Sequence, residues 1–264
     1  MRRSLRFWAL AALLAASLSS GCATYTTPGA GMNIRNLAKA DADIADLMKA
    51  EPAAVFPARI AVARVQASGY HSHGNSCYGN GMYCVVTTRD VEPADSYDRM
   101  SKLPLVSSVA LMNRILLPRE LTSARDLRQA AASLKADLLL VYTLDTAFHI
   151  ENTDVGPLAL ISLGFLPTKN AQVTATASAA LLDVRTGFVY GVAEASATEA
   201  QRGTFWSSSD AVDNARKKAE AEAYVKLIGE IEKFWADVLS THARGQTEAS
   251  GTGNSNAAFP RSAL

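Results

Sequence analysis

Between residues 173 and 197 the side chains alternate as a two-sided sheet requires. Val173, Ala175, Ala177, Ala179 and Leu181 share one face of an extended segment, while Thr174, Thr176 and Ser178 share the other. A period of two is the pattern of a strand with one face in a core and the other toward water. Asp183-Val-Arg-Thr-Gly187 then supplies turn residues, and Phe188 to Ala197 returns as the partner strand. A hairpin that is apolar on one side must be covered. The cover is legible further on. Ser209 and Asp210 open a helix that runs to about Ser240, with Val212, Ala215, Ala219, Tyr224, Leu227, Ile228, Ile231, Trp235 and Val238 stepping round one face. Arg216, Lys217, Lys218, Glu222 and Lys226 fall largely elsewhere. The apolar positions drift and several are only alanine, which argues against a coiled coil.

The preceding residues supply the rest of a domain. Ile34, Leu37, Ile44, Leu47 and Met48 recur at helical spacing, which predicts a short amphipathic helix from about Asn33 to Ala50, stopped before Pro52. Arg59 to Gln66 reads as the first strand, and Tyr83 to Thr88 as a second. Between Val106 and Leu117 lies an apolar run that fits either a strand or a helix. Thr122 or Ser123 caps a helix to about Leu134, whose buried stripe is Leu127, Ala130, Ala131 and Leu134. Leu138 to Leu144 is a continuous apolar run, as expected of a strand buried on both faces. With 48% hydrophobic residues the chain can form a full core, and 16 Gly and 9 Pro exclude a collagen-like or low-complexity chain. The expectation is one α/β domain over residues 33–242, a mixed sheet packed against two or three helices, the last of them long. From Ala243 onward Gly, Ser, Thr and Asn dominate, and residues 243–264 read as a disordered tail.

The N-terminus reads as an address. Arg2, Arg3 and Arg6 precede an apolar stretch from Phe7 to Leu18, and small residues follow at Ser19, Ser20 and Gly21. The stretch is shorter than the roughly 20 apolar residues of a spanning helix. Leu18-Ser-Ser-Gly-Cys22 resembles the lipobox of bacterial lipoproteins, with Ser19 at the usual aliphatic position. The resemblance implies that residues 1–21 are a signal peptide and that Cys22 becomes the lipidated N-terminus. Ala23 in place of Asp fits sorting to the outer membrane of a Gram-negative bacterium, at its periplasmic face. Residues 22–32 would then be a tether of Thr, Pro and Gly. Losing the first 21 residues removes three arginines and no acid, so the formal charge moves from +1 to −2. Such a balance argues against a nucleic-acid partner, which selects clustered Lys and Arg.

Three constellations could carry chemistry. Cys77 and Cys84, with six residues between them, fit a disulfide in an oxidising compartment. The rival is a metal site, since His71, His73, Cys77 and Cys84 supply four nitrogen and sulfur donors. The segment Gly156 to Pro167 is very apolar, and Leu158, Leu160, Ile161, Leu163, Phe165 and Leu166 could form a buried connection, an oligomer contact or a membrane-touching loop. No Walker loop, His-Glu-x-x-His or Gly-x-Ser-x-Gly occurs. His149 reads as a structural imidazole following a strand, and His242 sits at the end of the last helix. Asp137, Asp145 and Asp183 are placed near strand ends as turn caps. These residues point to a non-enzymatic protein with no cofactor, whose partners are the membrane, through its lipid, and an envelope protein or a second copy; the alternative is a periplasmic zinc-dependent enzyme.

Two further resemblances rest on sequence pattern. Ala58 to Val65, Ala136 to Tyr142 and the hairpin Ala180 to Gly187 resemble strands of the curli-secretion lipoprotein CsgG, the N-terminal domain of TolB and the lipoprotein LpoB. That similarity covers about residues 56–240 and implies an anticodon-binding-like α/β fold serving protein contacts in the envelope. The same stretches, with Gly164 to Thr168, are similar to the rhombotarget lipoproteins. Members of that group end in a sorting tail with an apolar helix, whereas this sequence ends in GTGNSNAAFPRSAL.

Overall fold

The structure, a computed structural model, describes residues 31, 34, 44–72, 75–152, 167–204 and 208–243. The main elements are α1 (Ile44–Lys49), β1 (Ala58–Ala67), β2 (Tyr83–Val86), α2 (Asp95–Ser101), β3 (Val106–Leu111), α3 (Ala124–Ser133), β4 (Leu138–Asn152), β5 (Pro167–Asp183), β6 (Val189–Thr204) and α4 (Ser208–Val238). A short π-helical turn, Leu239–Ala243, ends α4. The six strands form one mixed sheet in the order β6-β5-β4-β1-β2, with β3 pairing the first half of β1 on the side where β2 pairs the second.

The register explains why each strand carries its side chains as it does. β1 and β4 run parallel, with Ile60 opposite Leu138 and Arg64 opposite Tyr142. Both lie in the middle of the sheet, so their alternate residues enter two cores. Ile60 and Val62 of β1, with Leu138, Leu140, Tyr142 and Leu144 of β4, pack under α2 and α4. Ala61, Ala63 and Val65, with Leu139 and Val141, pack under α3. Burial on both faces is the reason the run from Leu138 to Leu144 is apolar throughout. β4, β5 and β6 form an antiparallel meander in which Leu138 faces Asp183 and Val189 faces Leu182. Val173, Ala175, Ala177, Ala179 and Leu181 all point to α4, as the alternation predicts.

The helices are positioned by matching surfaces. Ala215, Ala219 and Ala223 of α4 are buried against the small residues of β5, so helix and sheet approach closely. Larger side chains, Tyr224, Leu227, Ile228, Ile231 and Trp235, fill the remaining space. Arg99 of α2 grips Glu232 of α4 with two hydrogen bonds of 2.9 and 2.8 Å, and Trp235 Nε1 donates to Pro104 O at 2.9 Å. α3 starts where the sequence places it: the Asp126 carboxylate accepts from the backbone N–H groups of Thr122 and Ser123 at 2.8 and 2.9 Å.

Several expectations change. The hairpin and β4 extend well beyond the segments read from pattern, to 17, 16 and 15 residues. The ambiguous region resolves into α2, β3 and a 3₁₀ turn at Arg114–Leu116. The helix expected from Asn33 to Ala50 is described only at Ile34 and Ile44–Lys49; Ile34 packs against the α3-side core, while Ile44 and Met48 are 74% and 82% exposed. Arg216 is fully buried, not on the solvent side of α4. Asp145 lies inside β4 and is exposed, so it caps no turn, and His149 is likewise within β4. Asp183 does cap a turn, accepting from the N–H groups of Arg185 and Thr186, whereas Asp137 accepts from the strand residue Arg59 N. Among the described residues, no helix is long and apolar enough to cross a membrane.

Candidate functional site

α3 has ten residues and so runs only about 15 Å, less than half the length of the strands it covers. Beyond it, the described residues Gly31 and Ile34, the latter helical, lie against the α3-side face of the β4–β5–β6 meander. That half of the face is built from the polar side of the hairpin. Thr174 and Thr198 are joined at 2.9 Å, Thr176 and Ser196 at 2.9 Å, and the Ser178 hydroxyl donates to Glu194 at 3.0 Å. These cross-strand pairs occupy the hydroxyls with one another. A groove of about 840 Å³ begins where α3 ends, lined by Thr143, Asp145, Thr176, Ser178, Leu182 and Val192. Gly31 and Ile34 also line it, and Gly31 approaches so closely that a Cβ there would lie 2.9 Å from Asp145 Cβ. β6 is the last strand of the sheet on this side, and the exposed Val192 stands on it.

On the α4 side the polar groups are internal. Arg64 of β1 and Arg216 of α4 are fully buried and lie among Asp90, Glu92, Asp213 and Glu220. Arg216 Nη1 meets Glu220 at 2.7 Å, and Arg64 meets Glu92 at 3.2 Å and Glu220 at 3.6 Å. The Tyr142 hydroxyl donates to Glu92 at 2.7 Å, and Thr146 donates to Glu220 at 2.9 Å. Burial opposes the charge on Arg64, but Glu92 and Glu220 outweigh it and hold the guanidinium above its ordinary value. Tyr142 is pushed upward by burial and by Glu92, so it serves as a donor. These ionisable groups are committed to each other and lock β1, β4 and α4 in register. Sequence periodicity missed the network. Its traces are an arginine inside the apolar strand β1 and acids three residues before and four after Arg216.

A second polar node closes the end of the sheet. Asp183 is fully buried and accepts from Ala53 N at 2.7 Å, Tyr190 Oη at 3.0 Å and the turn N–H groups. Burial and the neighbouring carboxylate push Tyr190 up to about 12. His242 packs edge-on against Phe188 and Tyr190, with ring centroids 5.8 and 5.0 Å away.

Cys77 and Cys84 form a disulfide, with Cα atoms 5.5 Å apart. It ties the loop after β1 to β2, beside Tyr70 and Val86. Both sulfurs are consumed by this bond, which removes the thiolates that the metal alternative requires. His71 is exposed and its Nδ1 lies 3.0 Å from Gly69 O; His73 lies outside the described residues. Among the described residues no three His, Cys, Asp or Glu side chains gather as a metal cluster. Cys22 and the segment holding Leu158, Leu160, Ile161, Leu163, Phe165 and Leu166 also lie outside the described residues.

No protein-family model matches the chain, and no curated protein does. Three solved structures are similar to it at a low level. XCC0632 from Xanthomonas campestris, of family DUF330, is 12% identical with a TM-score of 0.28, covering 81% of this chain and 98% of its own. The hypothetical protein CT253 from Chlamydia trachomatis is 10% identical with a TM-score of 0.26, covering 67% and 96%. PelC from Paraburkholderia phytofirmans, described as a dodecamer, is 11% identical with a TM-score of 0.23, covering 65% and 94%.

Proposed function

We propose that this protein is a lipid-anchored component of the bacterial envelope, held at the periplasmic face of the outer membrane, and that it acts as a non-enzymatic binding or assembly module. The observation that carries the binding role is the half of the sheet beyond α3. β6 offers a long edge, and the adjoining face of β5 and β6 carries paired Thr, Ser and Glu side chains. A long edge strand without Pro is a template for another extended segment; between Val189 and Thr204 this chain has no Pro, and Lys226 of α4 donates to one of its carbonyls, Ser196 O, at 3.3 Å. The anchor is supported by the Leu18-Ser-Ser-Gly-Cys22 lipobox, and the Cys77–Cys84 disulfide suits an oxidising compartment. Several acyl chains on Cys22, each buried CH₂ contributing about 0.8 kcal/mol, make attachment stable without a spanning helix.

Replacement of Cys22 by Ser tests the anchor. The variant is expected to leave the membrane fraction or to accumulate unprocessed, and the wild-type N-terminus to carry acyl mass in a spectrum. Unchanged membrane retention with an unmodified Cys22 contradicts the proposal.

A second reading, an oligomeric export component similar to CsgG, is favoured by one observation. The apolar residues between Leu158 and Leu166 lie in sequence between β4 and β5, two paired antiparallel strands of 15 and 17 residues. Light scattering on the detergent-solubilised chain separates the two: a ring of many copies supports the export reading, and a monomer rules it out.

A further inference from the structure

Three arginines converge at the end of the sheet away from the half beyond α3. Arg125 and Arg128 lie three residues apart in the first turns of α3, and Arg185 stands in the turn between β5 and β6. Together with Gln129, Ala132 and Val184 they line a surface groove of about 400 Å³. Their existing partners leave a deficit of negative charge. Arg185 donates to Ala53 O at 3.0 Å and pairs with Asp137 at 3.3 Å. Arg128 donates to a carbonyl, Arg185 O, at 3.2 Å, and its Nε is shut off from solvent without an acceptor. Arg125 has no ion pair or hydrogen bond among the described residues. The nearby carboxylates are spoken for: Asp126 accepts from Thr122 and Ser123, and Asp183 from Ala53, Arg185, Thr186 and Tyr190.

The placement runs against two physical preferences. Cations in the first turn of a helix oppose its dipole, and like charges side by side repel. Arg128 registers both surroundings, since burial and then Arg125 lower its pKa. Space has nevertheless been made for it. Gly187, at φ +78°, lies beneath the guanidinium, and a Cβ there would stand 3.2 Å from Arg128 Cζ. A tight turn needing positive φ and a close approach both select glycine at that position.

We propose that this groove binds a phosphate group, with the guanidinium forks of Arg125, Arg128 and Arg185 sharing its oxygens. A phosphate offers several oxygens and up to two charges to converging planar donors, which a single carboxylate does not. The groove is shallow, so it takes the charged group and leaves the rest of the ligand outside. The site is independent of the binding role assigned to the half of the sheet beyond α3. Either a free phosphate or the headgroup of a phospholipid supplies this chemistry.

The test is calorimetric titration of the full chain in neutral detergent, at fixed ionic strength, with inorganic phosphate and separately with dihexanoyl phosphatidic acid. Saturable one-site binding is expected for at least one of them. Arg125→Glu, a change at an exposed side chain, is expected to weaken it by about tenfold or more. Lys218→Glu, on the exposed side of α4, is expected to leave it unchanged, with circular dichroism confirming that both variants fold. Tighter binding of phosphatidic acid than of phosphate identifies a lipid source, and equal or tighter binding of phosphate identifies a free one. No saturable binding of either compound, or equal weakening by Arg125→Glu and Lys218→Glu, overturns the proposal.

Discussion

The two halves of β4 show what this chain asks of its strands. From Leu138 to Tyr142 the strand is buried on both sides, between α3 and the α2–α4 layer. From Asp145 onward it is covered on one side only: Asp145, Ala147 and His149 are exposed, while Leu144 is buried and Phe148 packs against the α4 side. The same division continues across β5 and β6, where the α4 face is Ala and Val and the opposite face is Thr, Ser and Glu. One helix ending after ten residues produces the difference. The first half is determined by packing on both sides; the second by packing on the α4 side, with its other side exposed at Asp145, Ala147 and His149.

That contrast can be broken by substitution. The largest effect is expected where charge is buried. Glu220→Ala should destabilise by about 3–5 kcal/mol in urea unfolding, because Arg64 and Arg216 lose the acid they share and remain out of water. A loss no larger than that of a surface residue would show that the network does not hold β1 to α4. Next comes the packed half: Leu139→Ala, at a position with no exposure, should cost about 2–5 kcal/mol by the same measurement. The double variant Cys77→Ser with Cys84→Ser should cost about 2–3 kcal/mol, since a short loop is freed in the unfolded chain; equal midpoints with and without reductant in the wild type would contradict this. The smallest effects belong to the half beyond α3. Val192→Ser and Thr176→Val should each change stability by about 0.5 kcal/mol or less. A value comparable to that of Leu139→Ala would mean that this face is structural after all.

The hairpin, α4 and α3 were legible because each is specified by local periodicity. Alternation at Val173 to Leu181, the turn at Asp183 to Gly187 and the apolar face of α4 follow from residues close in sequence. β3 was ambiguous for a physical reason: as an edge strand pairing only β1, its side chains are half-exposed, and Ser107 and Ser108 interrupt its apolar run. Arg216 was misplaced because its burial depends on Asp90, from another part of the chain, as well as on acids of its own helix, and periodicity sees only the helix. Ile44 and Met48 show the converse, apolar residues at helical spacing that are exposed. Of the candidate site residues, the Cys77–Cys84 pairing could be read from spacing and compartment. The arginine groove could not, because Arg185 reaches Arg125 and Arg128 only through the packing of α3 beside the turn.

The central claim, that the half of the sheet beyond α3 is the contact surface of an anchored protein, is tested most directly by photo-crosslinking in cells. A photoreactive residue placed singly at Ser196, Thr198 or Ala200 on β6 should give discrete adducts of one size. The same residue at Lys218 or Glu222, on the exposed side of α4, should give none. Adducts at the α4 positions alone, or no adduct at any β6 position, would contradict the account.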